Sequence, residues 1–126
     1  SGPTPTPMPP DTPTVDPREA ADLEGLRRLT FAYWQAFNAN DPETTLGYLE
    51  ASYRAEREEA IRDEIGLIDT FGVTLVVSEQ IPPHMTGPDE GEMFLRMQEP
   101  LGIRLIHMAF RRVAGEWKIT YAQEVE

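Results

Sequence analysis

Two histidines, four tyrosines and a scatter of carboxylates are the main groups that this 126-residue sequence offers for acid, base or metal chemistry, and it contains no cysteine. Disulfides, thiolate metal sites and a cysteine nucleophile are thereby excluded. His84 stands in Pro82-Pro83-His84-Met85-Thr86-Gly87, near Asp89, Glu90 and Glu92. Those are metal-binding residue types without a recognised ligand spacing, so no metal is expected. His107 lies inside the apolar run Ile103 to Phe110. Asp69 and Glu79 are the remaining acids that could reach an inward position, and each would need burial to lift its carboxyl pKa into a range useful for proton transfer. The candidate catalytic set is therefore Asp69, Glu79 and His107. No Gly-rich phosphate loop, His-Glu-x-x-His pair or Gly-x-Ser-x-Gly elbow occurs, and no cofactor is implied.

A second set could line an apolar pocket. Tyr33, Trp34, Tyr53, Met108, Phe110 and Tyr121 are large side chains on faces expected to point inward, and core packing is the competing use for them. Tyr121 and Gln123 carry polar groups that need a partner once buried, and a ligand or water could supply it.

The elements that must position these residues follow from punctuation and period. Asp16-Pro17-Arg18-Glu19 is a helix start, and Leu23, Leu26, Thr30, Trp34 and Phe37 recur at helical spacing behind it. Asn40-Asp41-Pro42-Glu43 repeats the signal for a short second helix carrying Leu46 and Leu49. A third helix is expected from about Ser52 to Phe71, with Ile61, Ile65 and Ile68 inward, a charged outer face and Gly72 as its stop. The period then changes to alternation, giving four strands: 73–81 closed by Pro82 and Pro83, 92–99, 103–113 and 116–125. A two-residue turn at Ala114-Gly115 would pair Arg112 with Trp117, Phe110 with Ile119, Met108 with Tyr121 and Ile106 with Gln123. That register turns Leu105, His107 and Ala109 to the opposite face, where they could meet a second subunit.

The remaining sequence bounds the setting. Seven of the 12 prolines fall in the first 17 residues, interleaved with threonines, so residues 1–16 read as an extended spacer ahead of one domain at residues 17–126. Such a spacer suits a tether that holds a domain outside the cytoplasm, attached through an upstream segment. Lys and Arg number 11 against 22 Asp and Glu, and the net charge of -11 makes nucleic acid an unsuitable partner. No apolar run approaches the ~20 residues a membrane-spanning helix needs.

Helix, short helix and long helix followed by a sheet ending in Phe110-Arg-Arg-Val-Ala-Gly-Glu-Trp-Lys-Ile119 resembles the nuclear-transport-factor-2-like superfamily, also called SnoaL-like or ketosteroid-isomerase-like. Tyr33-Trp-Gln-Ala-Phe-Asn-Ala-Asn-Asp-Pro-Glu43, with Leu46, Tyr48, Leu49 and Tyr53, carries the other half of the likeness. The resemblance implies an α+β cone, three N-terminal helices packed on a curved, four-stranded, mainly antiparallel sheet, whose open end often holds a small, mainly apolar molecule. Enzymes and binding proteins share that fold. Catalytic members commonly insert a strand pair between the second and third helices, and here only Glu50-Ala51-Ser52 stands between Leu49 and Tyr53. The expectation is thus a non-catalytic domain that binds a small apolar ligand or a protein partner, and a homodimer formed through the sheet. The alternatives are a small isomerase, dehydratase or cyclase using acid and base chemistry, and a purely structural dimerising module.

Overall fold

The structure is a computed structural model and describes residues 16–125; the spacer expected at residues 1–16 lies outside these, Asp16 excepted. Each helix begins where a side chain takes up amides that the first turn leaves free. Asp16 accepts from the Arg18 amide at 3.0 Å, Asp41 from Thr44 at 3.2 Å, and Glu50 from Ser52 and Tyr53 at 3.0 and 3.2 Å. These caps open α1 (Pro17–Asn38), α2 (Pro42–Gly47) and α3 (Ala51–Thr70). Phe71 ends α3, and Gly72 turns away at a φ of +64° that disfavours a side chain. The α2–α3 connection is only residues 48–50, bonded to one residue of the last strand: the Glu50 amide donates to the Ile119 carbonyl and the Ile119 amide to the Tyr48 carbonyl.

Four antiparallel strands follow in spatial order: β1 (Val76–Gly87), β2 (Glu90–Glu99), β3 (Gly102–Val113) and β4 (Glu116–Glu124). Alternation buries Met93, Leu95 and Met97 of β2 and Ile106, Met108 and Phe110 of β3 against Leu26, Tyr33, Trp34 and Phe37 of α1 and Ile61 and Ile65 of α3. Gly91 makes one of these contacts possible. A Cβ there would stand 2.5 Å from Leu26 Cδ1 and 3.2 Å from the His84 carbonyl oxygen. At the other end of α1, the Asn38 amide donates to the Leu75 carbonyl at 2.8 Å and its oxygen accepts from the Leu75 amide at 2.9 Å, so a side chain replaces a strand partner. Arg112 joins three segments. Its guanidinium donates twice to Asp22 of α1 at 3.0 and 2.9 Å and to Asp89 of the β1–β2 turn at 3.0 Å, and it lies 4.5 Å over the Trp117 ring. These bonds hold the Asp22 carboxyl below its ordinary pKa.

Two expectations are corrected. β1 does not end at Pro82: it runs on to Gly87 through Pro82 and Pro83, with the ladder interrupted between Ile81 and His84. β1 is an edge strand, where a missing amide donor costs little. The last hairpin keeps the expected register only as far as Phe110 opposite Ile119. There β4 bulges by one residue at Thr120, so Ala109 faces Tyr121, Met108 faces Ala122, His107 faces Gln123 and Ile106 faces Glu124. The bulge reverses which face each later residue serves. Tyr121, expected inward beside Met108, is instead on the sheet face turned away from the helices, and Ala122 takes the inward place.

The bulge also aims the Ala122 backbone at α3, where the Tyr53 hydroxyl accepts from the Ala122 amide at 3.0 Å and stands 3.3 Å from its carbonyl oxygen. Tyr53→Phe leaves both groups without that partner and is expected to lower stability by about 1–2 kcal/mol in urea denaturation, with the slope unchanged.

Candidate functional site

Between the C-terminal half of α3, α1 and the inward face of β2–β4 lies a cavity of ≈620 Å³. Trp34 and Phe37 of α1 form its floor with Met97, Ile106 and Leu75. Its rim holds Leu67, Phe71 and Leu101, which are 56%, 74% and 96% exposed, an unusual concentration of open apolar surface in an acidic protein. Charged groups stand among the apolar ones. Arg57 pairs with Glu64 at 3.5 Å, and Arg104 pairs with Glu99 at 2.6 Å and Glu124 at 3.4 Å. All five line the cavity.

Of the residues nominated from sequence as pocket lining, Trp34 lines this cavity and Gln123 reaches its edge. Tyr33, Tyr53, Met108 and Phe110 are buried in the core around it. Burial pushes the Tyr33 hydroxyl above its ordinary pKa and keeps it protonated. Tyr121 lies on the opposite sheet face for the reason given above.

The nominated catalytic residues are not brought together. Asp69 is exposed on α3. Glu79 is on β1 and is bonded to Arg27 of α1. His107 shares the outward sheet face with Phe94, which stacks on it at 4.6 Å between ring centroids, and with Tyr121 at 5.3 Å. On that face His107 Nε2 and His84 Nε2 approach the two oxygens of Glu92 at 2.9 and 2.8 Å. The bond from His107, then burial's opposing effect and the bond from His84, leave the Glu92 carboxyl with a lowered pKa. Each imidazole addresses its own oxygen, and among the described residues no group of three or more His, Asp or Glu side chains is arranged to hold a metal ion.

Arg57, Arg104, Glu64, Glu99 and Glu124 are the site residues that the sequence reading passed over. The signal was available for the arginines. Arg57 follows Tyr53 by four and precedes Ile61 by four, so it occupies the apolar stripe of α3 rather than its charged face; Arg104 shares the phase of Ile106, Met108 and Phe110.

Among solved structures, a protein of unknown function with a cystatin-like fold from Nostoc punctiforme PCC 73102 superposes with a TM-score of 0.64 at 17% identity, over 83% of this chain and 90% of that one. An NTF-2-like protein of unknown function from Shewanella oneidensis MR-1 gives 0.64 at 10%, over 83% and 99%. A protein from Novosphingobium aromaticivorans DSM 12444 named as a candidate scytalone dehydratase gives 0.63 at 14%, over 85% and 86%. No protein-family model and no curated protein matches the chain. Three helices against a four-stranded antiparallel sheet, with these neighbours, establish the nuclear-transport-factor-2-like fold.

Proposed function

We propose that this domain of nuclear-transport-factor-2-like fold is a cone whose open end, the ≈620 Å³ cavity, binds a small, mainly apolar molecule without chemically changing it. The cavity carries the reading: its size falls within the ~300–1,000 Å³ of ligand sites, and apolar side chains dominate floor and rim. Binding without turnover is supported by the positions of Asp69, Glu79 and His107, all outside the lining. Nile red is expected to bind the purified chain with a blue-shifted emission, and Val73→Trp, which adds bulk to the lining, to weaken binding at least ~10-fold. Unchanged binding by that variant would place the dye elsewhere and defeat the proposal.

A second reading is favoured by one observation. Glu64 stands half-exposed at the cavity, held by a single 3.5 Å ion pair, and a carboxylate at that place could move a proton on an apolar substrate bound over it. An isomerase or dehydratase of that kind would lose turnover in Glu64→Gln, whereas a binding protein keeps its ligand affinity.

The proposal includes a homodimer through the outward sheet face. Ile81, Ile103, Leu105 and Tyr121 are exposed there. Arg96, Arg111 and Lys118 balance Glu90, Glu92 and Glu116 on the same face, so in a chain of net charge -11 two copies can approach through it without mutual repulsion. Light scattering should report a dimer, and Leu105→Glu a monomer; a monomeric parent at high concentration would remove this part. A location outside the cytoplasm rests on residues 1–16 alone, and fractionation of cells making the native protein checks it.

A further inference from the structure

Both histidines of this chain hold the same carboxylate. Glu92 stands on the outward sheet face; His84 of β1, opposite it in the ladder, brings Nε2 to one oxygen at 2.8 Å, and His107 of β3, diagonal to it, brings Nε2 to the other at 2.9 Å. An ionised carboxylate only accepts, so both imidazoles donate from Nε2 even when neutral, and a further proton enters at Nδ1. Nδ1 of His84 lies 3.4 Å from the Pro82 carbonyl oxygen, an acceptor for that proton. The bond from His107, joined by that from His84, outweighs burial and lowers the Glu92 carboxyl pKa, so the carboxylate keeps its charge while the rings change theirs.

The cluster is therefore negative with both rings neutral, uncharged with one ring protonated and positive with both. Two cations sharing one carboxylate repel, which separates the two steps. The other charged side chains of the face are Glu90 and Arg96 of β2, Arg111 of β3, and Glu116 and Lys118 of β4, with Arg111 3.7 Å from Glu50. Glu79 of β1 is turned to Arg27 of α1 instead. None of these, nor Tyr121 beside His107, is of a type that changes charge between pH 5 and 8, where imidazoles do. The cluster lies among Ile81, Leu105 and Tyr121, exposed apolar groups of the face, and His107 stacks on Phe94 at 4.6 Å. A second copy covering this face would strip water from Glu92 and both rings, and dehydration penalises a net charge far more than a balanced pair.

We propose that His84, Glu92 and His107 make association of two copies through this face pH-dependent, the dimer being tightest where each cluster carries one added proton and no net charge. The proposal rests on the reading of this face as the dimer interface. Burying the cluster favours its uncharged form, so the dimer holds more protons than two separate subunits do at alkaline pH. By linkage, a complex that holds more protons than its separated parts gains affinity as the pH falls. The gain reverses when the second proton makes the cluster positive.

The test is the dimer dissociation constant of the whole chain, measured by sedimentation equilibrium at constant ionic strength from about pH 8 to about pH 5. Association is expected to strengthen roughly 10-fold between the alkaline end and its optimum, and to weaken again below it. Glu92→Gln, at a partly exposed position and checked for folding by thermal melting, makes the cluster uncharged with neutral rings and positive after one proton. Its association should therefore weaken severalfold over the range in which the parent's strengthens, whereas a merely structural role for Glu92 would leave the direction unchanged. His84→Asn combined with His107→Asn should hold the constant within about twofold across the range. A parent dimer equally tight throughout, or a Glu92→Gln variant that follows the parent, would overturn the pH dependence while leaving the interface standing. A monomer at every pH would remove the interface and this inference together.

Discussion

Phe110→Ala is expected to cost about 4 kcal/mol and to lower the urea midpoint by roughly 2–3 M with little change in slope. Phe110 is 2% exposed and lies at the centre of the ladder, opposite Gly91 on β2 and Ile119 on β4. Gly91 has no side chain to move into the space that a lost ring would leave. Ile119 is held on its other side by the Tyr48 and Glu50 backbone and cannot follow easily. The cavity left behind should therefore persist, which puts the loss in the upper part of the range for aromatic truncations. A loss under about 1.5 kcal/mol would mean that the sheet collapses around the vacancy.

Gly91→Val is expected to be nearly as damaging, about 3 kcal/mol, for the opposite reason. Its Cβ alone would press on Leu26 Cδ1, a fully buried atom of α1, and on the His84 carbonyl oxygen of β1, so helix and edge strand would both have to move. Melting should fall by roughly 10–20 °C. Leu26→Ala by itself costs ~2–5 kcal/mol, but combined with Gly91→Val it should destabilise by clearly less than the sum, because the truncated leucine makes room for the added valine. Simple additivity would show that the valine is accommodated elsewhere.

The helices were legible because their ends are marked by residues with one physical use. Asp before Pro, twice, serves as cap and first-turn opener, and Gly72 takes a left-handed turn that other residues resist. The strands were legible as alternation, and the Ala114-Gly115 turn as a two-residue connection that fixes Val113 opposite Glu116. What alternation cannot record is a single extra residue. Thr120 is β-branched and suits a strand, so nothing in its type announces a bulge, yet it moves Tyr121 to the far face and leaves the four residues from Tyr121 to Glu124 out of phase with expectation. The prolines of β1 misled in the opposite sense, because whether a proline ends a strand depends on whether a neighbour needs its amide, and edge position is a property of the assembled sheet.

The cavity was partly legible. Trp34 and Gln123 belong to it, while Tyr33, Tyr53, Met108 and Phe110 fill the core, since large side chains of identical pattern serve either purpose. The arginines were overlooked because a charge inside a charged run reads as solvated, although the spacing of Arg57 from Tyr53 and Ile61 places it on the buried stripe.

Both borders of the sheet are closed to further strands, by different means. Along β1, the adjacent Pro82 and Pro83 break the ladder between Ile81 and His84 and leave two successive positions without an amide donor, one of them on either side of the strand. Along β4, the outward amide and carbonyl of Ile119 are taken by Tyr48 and Glu50, and those of Ala122 are met by the Tyr53 hydroxyl. A foreign strand has no uninterrupted row of backbone groups to copy at either border. The chain should therefore resist growth into continuous cross-strand polymers even when concentrated, and variants that open a border, Tyr53→Phe above all, are where fibril seeding would first find purchase.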